Sequence, residues 1–435
     1  MLARTLAESW EVRMNPEWQA VIGIEVHAQL RTASKLFSAA PVTFGTTPNS
    51  AVTPLCVGLP GSLPRVNQAA VELAVRAGLG LGCRIRTASQ FARKSYFYPD
   101  LPKGYQISQH NLPICEDGTL AFPLDGQIAV LEIERIHIEE DAGKSIHDSI
   151  AGATVVDLNR AGVPLIEIVS RPGLHSANAA VAALAEIRRI MLHLGVCDGS
   201  LEEGSMRCDA NVSVRRVGEL GLRTRCELKN LNSFRSLRDA IDFEIARQIA
   251  VWESGQPVKQ QTRLWDGDAG RSRPMRSKED AADYRYMPDP DLPALTISEA
   301  TLRQWRDAMP PSLAELRLEL EQGLGLDPEQ SALLLDDPAL RAALHPSLRA
   351  RAASGDARSL ATFLFGQVAA AMRRADQALG AVADCLDVVT VVFDRWRAGS
   401  LSNRMVTDIL TAMAGAQDRR AALQAAIEAA GAVVD

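Results

Sequence analysis

Apolar and polar residues alternate along 22–30, with Ile22, Ile24, Val26, Ala28 and Leu30 on one parity and Glu25 and His27 on the other. A period of two predicts a half-buried strand whose carboxylate and imidazole share the polar face. The pattern recurs where Met206, Cys208, Ala210 and Val212 alternate with Arg207, Asp209, Asn211 and Ser213, and where Cys226 and Leu228 alternate with Arg225, Glu227 and Lys229. Spacings of three and four predict two helices. One starts at Ser176 as N-cap, carries Val181, Leu184, Ile187, Met191 and Leu194 on one face, and stops at Gly195. The other begins near Ser233, carries Phe234, Leu237, Ile241, Ile245, Ile249 and Trp252, and ends by Gly255. Strands dominate and do not alternate regularly with helices, so residues 18 to 293 predict an α+β cradle on a largely antiparallel sheet rather than a doubly wound nucleotide fold.

The pattern changes further along. Residues 257–311 are rich in Pro, Gly, Asp and Arg, which marks loops and a linker. From Ser312 onward the signal is helical and alanine-rich, as in 359–372, 380–396 and 401–413. The expected organisation is an N-terminal extension (1–17), a cradle domain (18–293), a linker (294–311) and an all-α helical domain (312–435).

Two carboxylates break the apolar pattern. Glu140 follows the parity of Ile136 and Ile138, and Glu167 shares that of Leu165 and Val169. An ionised group in such a run is costly to bury unless it is paired or bound to metal, which leaves an internal Glu–Arg or Glu–Lys bridge and a metal site both open. The segment 93–109 gathers Tyr96, Tyr98 and Tyr105 with Arg93, Lys94 and Lys103 around Pro99 and Pro102. It reads as a shaped loop, either a binding element or a plain surface loop. Gly78-Leu79-Gly80-Leu81-Gly82 lacks the lysine and spacing of a phosphate loop.

Composition narrows the setting. The 435 residues, 47% hydrophobic and 23% charged, suffice for two or three cores. Apolar runs are broken by charge or glycine well short of what a bilayer of about 30 Å requires. Residues 1–17 hold two arginines and three glutamates without the apolar stretch of a secretory signal. Seven irregularly spaced cysteines suggest reduced thiols and a cytosolic protein. A net charge of -6 argues against broad phosphate binding, so nucleic acid would need local basic patches. One candidate is 263–278, where Arg263, Arg271, Arg273, Arg276 and Lys278 surround Trp265; a solvated charged loop is the alternative.

Long motifs in order carry a family resemblance. They are Ile22-Gly23-Ile24-Glu25-Val26-His27, the 93–109 segment, Arg135-Ile136-His137-Ile138-Glu139-Glu140-Asp141-Ala142-Gly143-Lys144, and the stretch from Asp157-Leu158-Asn159-Arg160 through Pro164-Leu165-Ile166-Glu167-Ile168-Val169-Ser170. Gly204-Ser205-Met206-Arg207-Cys208-Asp209, Glu227-Leu228-Lys229-Asn230-Leu231-Asn232 and Tyr284-Arg285-Tyr286-Met287-Pro288-Asp289 follow. Over 18–293 the chain resembles the GatB/GatE family, the B subunits of aspartyl/glutamyl-tRNA(Asn/Gln) amidotransferases.

The resemblance implies a catalytic domain akin to glutamine synthetase and guanidino kinases. It also implies ATP-dependent phosphorylation of the side-chain carboxylate of glutamate or aspartate mischarged on tRNA, then amidation with ammonia. Glu25, His27, Glu140 and Glu167 are its implied metal ligands, a mostly oxygen set that suits Mg²⁺ or Mn²⁺. Glu140, Glu167 and Lys94 are its implied catalytic residues, Arg207, Asp209, Asn211 and Lys229 its ATP contacts, and Tyr96, Lys103, Tyr105, Arg263, Arg271 and Arg273 its tRNA contacts. The implied partners in a cytoplasmic heterotrimer are the amidotransferase's amidase component and its small clamping component. Nothing in the chain resembles the glutaminase itself.

The chain departs from the family pattern in three places. Thr53-Pro54-Leu55-Cys56 keeps half of a frequent Cys-x-x-Cys, so no structural zinc is expected. Ser170-Arg171-Pro172-Gly173 replaces acidic residues. After Leu401-Ser402-Asn403-Arg404-Met405 the family's tail domain is expected to be largely missing. A non-catalytic tRNA-binding scaffold and a stand-alone ATP-dependent ligase remain alternatives.

Overall fold

The computed structural model describes residues 17–150, 152–275 and 284–431. The extension read at 1–17 therefore lies, except for Glu17, outside the described residues, as do Arg276 and Lys278 of the basic segment. The chain divides into two compact units, one ending at Met309 and one beginning at Pro310.

The first unit runs β1 (Trp18–Gln29), α1 (Gln68–Gly80), β2 (Arg84–Ile85), β3 (Ala88–Ser89), β4 (Ala92–Ser95), β5 (Tyr105–Ser108), β6 (Cys115–Leu124), β7 (Gln127–Glu140), β8 (Lys144–Ile150) and β9 (Ala153–Asp157). It continues with β10 (Pro164–Ser170), α2 (Ala177–His193), β11 (Met206–Arg216), β12 (Cys226–Lys229), α3 (Phe234–Glu253), β13 (Gln261–Asp266), β14 (Arg271–Pro274), β15 (Met287–Pro288), β16 (Leu295–Thr296) and α4 (Glu299–Asp307). Nine strands form one sheet in the order β14-β13-β12-β11-β1-β10-β7-β6-β2. Only β12 and β13, joined through α3, pair in parallel; every other neighbour is antiparallel. This is the largely antiparallel α+β sheet expected from the alternation.

Alternation also decides which face is covered. Ile22, Ile24 and Val26 of β1, Ile136 and Ile138 of β7, Ile166 and Ile168 of β10, and Cys208, Ala210 and Val212 of β11 are buried in one core with residues from α1, α2 and α3. Removing that apolar face from water, at about 25 cal/mol per Å², fixes each strand's register, because a one-residue slip would bring the polar parity inward. The helices begin and end as their sequences require. Ser176 Oγ accepts from Ala179 N at 3.1 Å and Ser233 Oγ from Ser236 N at 3.0 Å, while Gly195 and Gly255 take φ of 66° and 79° just beyond the C-termini.

Three segments differ from expectation. First, the glycine string at 78–82 closes a helix, α1, that the sequence reading did not identify. A Cβ on Gly78 would lie 2.4 Å from Cys115 Sγ, and one on Gly80 would lie 2.5 Å from Leu194 Cδ1. These glycines let the helix approach β6 and α2 closely. Second, 93–109 is a β4–β5 hairpin in a three-stranded sheet with β15, not a loop throughout; only its tip is irregular, with Phe97 and Tyr98 exposed. Third, 294–309 is not a bare linker, since β16 pairs with β3 and Ile297, Leu302 and Trp305 enter the first unit's core.

The second unit is helical: α5 (Leu313–Leu318), α6 (Pro328–Asp336), α7 (Pro338–Ala350), α8 (Ala357–Phe363), α9 (Ala369–Arg374), α10 (Leu386–Arg397), α11 (Asn403–Ala414) and α12 (Arg419–Gly431). Leu334, Leu344, Leu360, Phe363, Met372, Val389, Phe393, Val406 and Leu410 are buried in it. A π-helical turn at Leu364–Val368 joins α8 to α9, so the segment read at 359–372 is one interrupted helix. Among the described residues no helix is long and apolar enough to cross a membrane.

Candidate active site

The sheet face opposite α1–α3 carries the polar parity, and register sets its rows. His27 of β1 pairs with Glu167 of β10 on one side and Arg207 of β11 on the other, and Glu167 pairs with His137 of β7. One step along, Glu25 pairs with Asp209 and with Val169, which pairs with Arg135. Asn211 lies opposite Glu227 of β12. Cross-strand neighbours project to the same side, so five adjacent strands, β12, β11, β1, β10 and β7, build one polar floor. Above it opens a cavity of about 990 Å³, lined by Glu25, His27, Lys94, His137, Glu139, Glu167, Asn211, Arg225, Glu227 and Lys229 among others, with His110, Tyr284 and Tyr286 also in its wall. The His110 and Tyr286 rings stack at 4.0 Å, and Lys94 Nζ sits 4.8 Å from the Tyr284 ring centre.

Two acidic groupings divide the floor. In the first, His27, Glu139 and Glu167 present ligand atoms within 4.8 Å of one another. His27 Nε2 lies 3.3 Å, and His137 Nε2 3.4 Å, from Glu167 Oε2. In the second, Glu25, Asp209 and Glu227 converge to the same degree. Lys229 Nζ reaches Asp209 and lies 2.7 Å from Glu227 Oε1, and Asn211 Nδ2 donates to Glu25 Oε1 at 2.8 Å.

The electrostatics fit a cation. Burial presses both imidazoles toward neutrality, yet the carboxylates of Glu167 and Glu139 overcome it, raising His27 and setting His137 at about 9. Burial opposes ionisation of Glu167 too, but His137 and His27 hold it well below the carboxylate range. Glu25 is raised by burial and by the neighbouring charges of Glu167, Glu227 and Asp209. Protons are thus drawn to positions where a divalent cation would serve the same carboxylates. The buried His137 Nδ1 has no hydrogen-bond partner among the described residues. The carboxylate oxygens of Glu139 and Glu167 are the hard donors that suit Mg²⁺ or Mn²⁺, with the His27 nitrogen beside them.

The expected site residues separate clearly. Glu25, His27, Glu167, Lys94, Asn211 and Lys229 all line the cavity. Asp209 stands in the second acidic grouping, while Arg207 Nη2 is held by the buried Asp141 at 3.1 Å. Glu140 does not join the others. It belongs to the apolar parity of Ile136 and Ile138, pairs with Lys103, and accepts from Ile107 N at 2.8 Å. Glu139 occupies the position toward His27 and Glu167 instead. The sequence contained the signal: His137 and Glu139 alternate with Ile136 and Ile138 just as Glu25 and His27 alternate with their neighbours.

None of the expected tRNA contacts lines the cavity. Lys103 is taken by Glu140, Tyr96 Oη donates to Asp100 at 3.4 Å, and Tyr105 lies beneath Arg93 at 4.2 Å. Arg263 is buried, donating to Ser272 Oγ at 2.8 Å and lying 3.5 Å from Glu244, so it holds β13 to β14 and α3. Arg271 and Arg273 are exposed on β14.

The family described as the GatB/GatE catalytic domain matches residues 20–303. A relative from Anaeromyxobacter sp. (strain K), named as the B subunit of aspartyl/glutamyl-tRNA(Asn/Gln) amidotransferase, is 53% identical over 356 residues, covering 81% of this chain and 73% of its own. Relatives of the same name from Janthinobacterium sp. (strain Marseille) and Ralstonia pickettii (strain 12J) are each 45% identical over 91% of this chain, covering 82% and 83% of their own lengths. With more than half its length matched by the family and relatives at 45–53% identity, the chain belongs to the GatB/GatE family.

Proposed function

We propose that this chain is the synthetase component of a tRNA-dependent amidotransferase. It uses ATP to phosphorylate the side-chain carboxylate of Glu-tRNA(Gln) or Asp-tRNA(Asn), and ammonia then displaces the phosphate to give the amide. The observation that carries this reading is one rigid sheet face presenting two carboxylate groupings and several cations to a cavity large enough for a nucleotide. A carboxylate resists a neutral amine until one oxygen becomes a good leaving group, and phosphorylation supplies that.

His27, Glu139 and Glu167 would hold Mg²⁺, with Glu25 beside them. When bound, the ion would neutralise charge on the transferring phosphoryl group. Lys94, Arg225 and Lys229 meet the remaining phosphate charge, and Asn211 orients Glu25. The aromatic wall of His110, Tyr284 and Tyr286 keeps water from the activated carboxyl. A fold akin to glutamine synthetase accords with the antiparallel cradle.

The name of the relatives supports a multi-subunit enzyme. We assign the ammonia supply to an amidase partner, held by a small third component, in the cytoplasm. The exposed Arg271 and Arg273, with the tip of the β4–β5 hairpin, are the groups we assign to tRNA. A cavity with charged groupings disfavours a non-catalytic scaffold.

ATP hydrolysis measured with mischarged tRNA, with free glutamate and with neither tests the assignment. Mischarged tRNA should stimulate turnover at least about tenfold and free glutamate should not, a difference of over about 1.4 kcal/mol in barrier. Equal stimulation by free glutamate would identify a stand-alone ligase, and no hydrolysis with any acceptor a scaffold.

A further inference from the structure

Away from the polar floor, three groups converge on Cys56 Sγ: Lys35 Nζ at 3.5 Å, Thr53 Oγ1 at 3.4 Å and Ser38 Oγ at 3.7 Å. Lys35 is 1% exposed, and its ammonium also donates to the Leu158 carbonyl at 3.2 Å. No carboxylate among the described residues forms an ion pair with it; burial lowers Lys35 from its ordinary value, and Cys56, then Asp157 and Glu140 at longer range, act against that. A buried ammonium is costly without an anion, and the sulfur in hydrogen-bonding contact is the group placed to supply one. Burial pushes the Cys56 thiol up, but the Thr53, Lys35 and Ser38 contacts outweigh it and set the thiol below its ordinary value. The other six cysteines are all raised, with burial the leading cause. Cys56 also borders a cavity of about 10 Å³, at the lower limit for a single water, whose remaining charged lining is the Lys103–Glu140 pair. Neither acidic grouping of the floor includes Cys56.

We propose that Cys56 and Lys35 form a thiolate–ammonium pair and that this pair is the peroxide-reactive modification site of the chain. The thiolate attacks one oxygen of hydrogen peroxide, so an S–O bond forms as the O–O bond breaks. Sulfur loses two electrons, the peroxide is reduced, and the products are a sulfenic acid and hydroxide, which takes a proton from solvent. Lys35, Thr53 and Ser38 then hydrogen-bond the new oxygen.

The test treats the full chain with hydrogen peroxide and dimedone, which captures sulfenic acids, and maps the label by peptide mass spectrometry. Cys56 should label at least tenfold faster than any other cysteine. Its alkylation by iodoacetamide in the native protein should reach half-maximal rate below the free-thiol value of about 8.5. Lys35→Met should slow both reactions at pH 7 at least tenfold, and Thr53→Val should slow them less. If Lys35→Met does not fold, the pH profile of the parent decides. Labelling of Cys56 no faster than that of Cys83, or a half-maximal pH at or above the free-thiol value, would overturn the proposal.

Discussion

Glu167→Gln should lower ATP-dependent amide formation by at least about 10³-fold, the scale on which loss of one preorganised electrostatic group acts in a dry site. The carboxylate is shared by His27 and His137, at 3.3 and 3.4 Å, and contributes to the proposed cation site. The same variant changes how stability depends on pH. His137 is raised from 6.5 to about 9 in the fold, with the Glu167 and Glu139 carboxylates as the raising causes. A raised histidine contributes stability that is fully present below its unfolded value and is lost as pH rises through its folded value. The metal-free parent should therefore lose about 3 kcal/mol between pH 6.5 and pH 9.5, from about 1.4 kcal/mol per unit. Glu167→Gln should lose much less over that window. Denaturant titrations at the two pH values in the presence of a chelator measure this. A parent and variant with parallel pH profiles would show that the imidazole is not charged by its neighbours.

The second large effect separates two adjacent residues. Glu139→Gln should weaken divalent-cation binding at least about 30-fold, within the range seen when groups around a metal are removed. Glu140→Gln should leave that affinity within about threefold of the parent. It should instead cost about 3–5 kcal/mol of stability, because Lys103 would lose its partner in a buried setting. Calorimetry with Mg²⁺ or Mn²⁺ and a thermal melt on each variant give both readings. Loss of cation binding in a folded Glu140→Gln, with Glu139→Gln binding as the parent does, would restore the ligand set that the family resemblance implied.

How much could be read from sequence follows from the physics of each element. The alternation around Glu25 and His27 was legible because one strand face meets three helices and the other meets an open cavity. The helices from Ser176 and Ser233 were legible because caps, periodicity and terminal glycines agree. Glu140 stayed open in the sequence because a carboxylate in an apolar run has two solutions, an internal bridge and a metal site, and a lysine brought from 37 residues away in sequence decides for the bridge over the ligand role that the resemblance implied. Nothing local to Glu140 names Lys103. Arg263 misled: a cation in a basic segment read as exposed, whereas Ser272 and Glu244 draw it inward. The α1 helix escaped notice because its terminal glycines, weighed only against a phosphate-loop pattern, are there for close contact with Cys115 and Leu194.

In the proposed function the floor of this cavity activates a carboxylate by moving a phosphoryl group onto it. An ¹⁸O label in the side-chain carboxylate of Glu-tRNA(Gln) follows that event directly. With ATP, Mg²⁺ and ammonium, inorganic phosphate should carry one labelled oxygen for every amide formed, and none in Glu167→Gln. Amide formation that leaves inorganic phosphate unlabelled would contradict it.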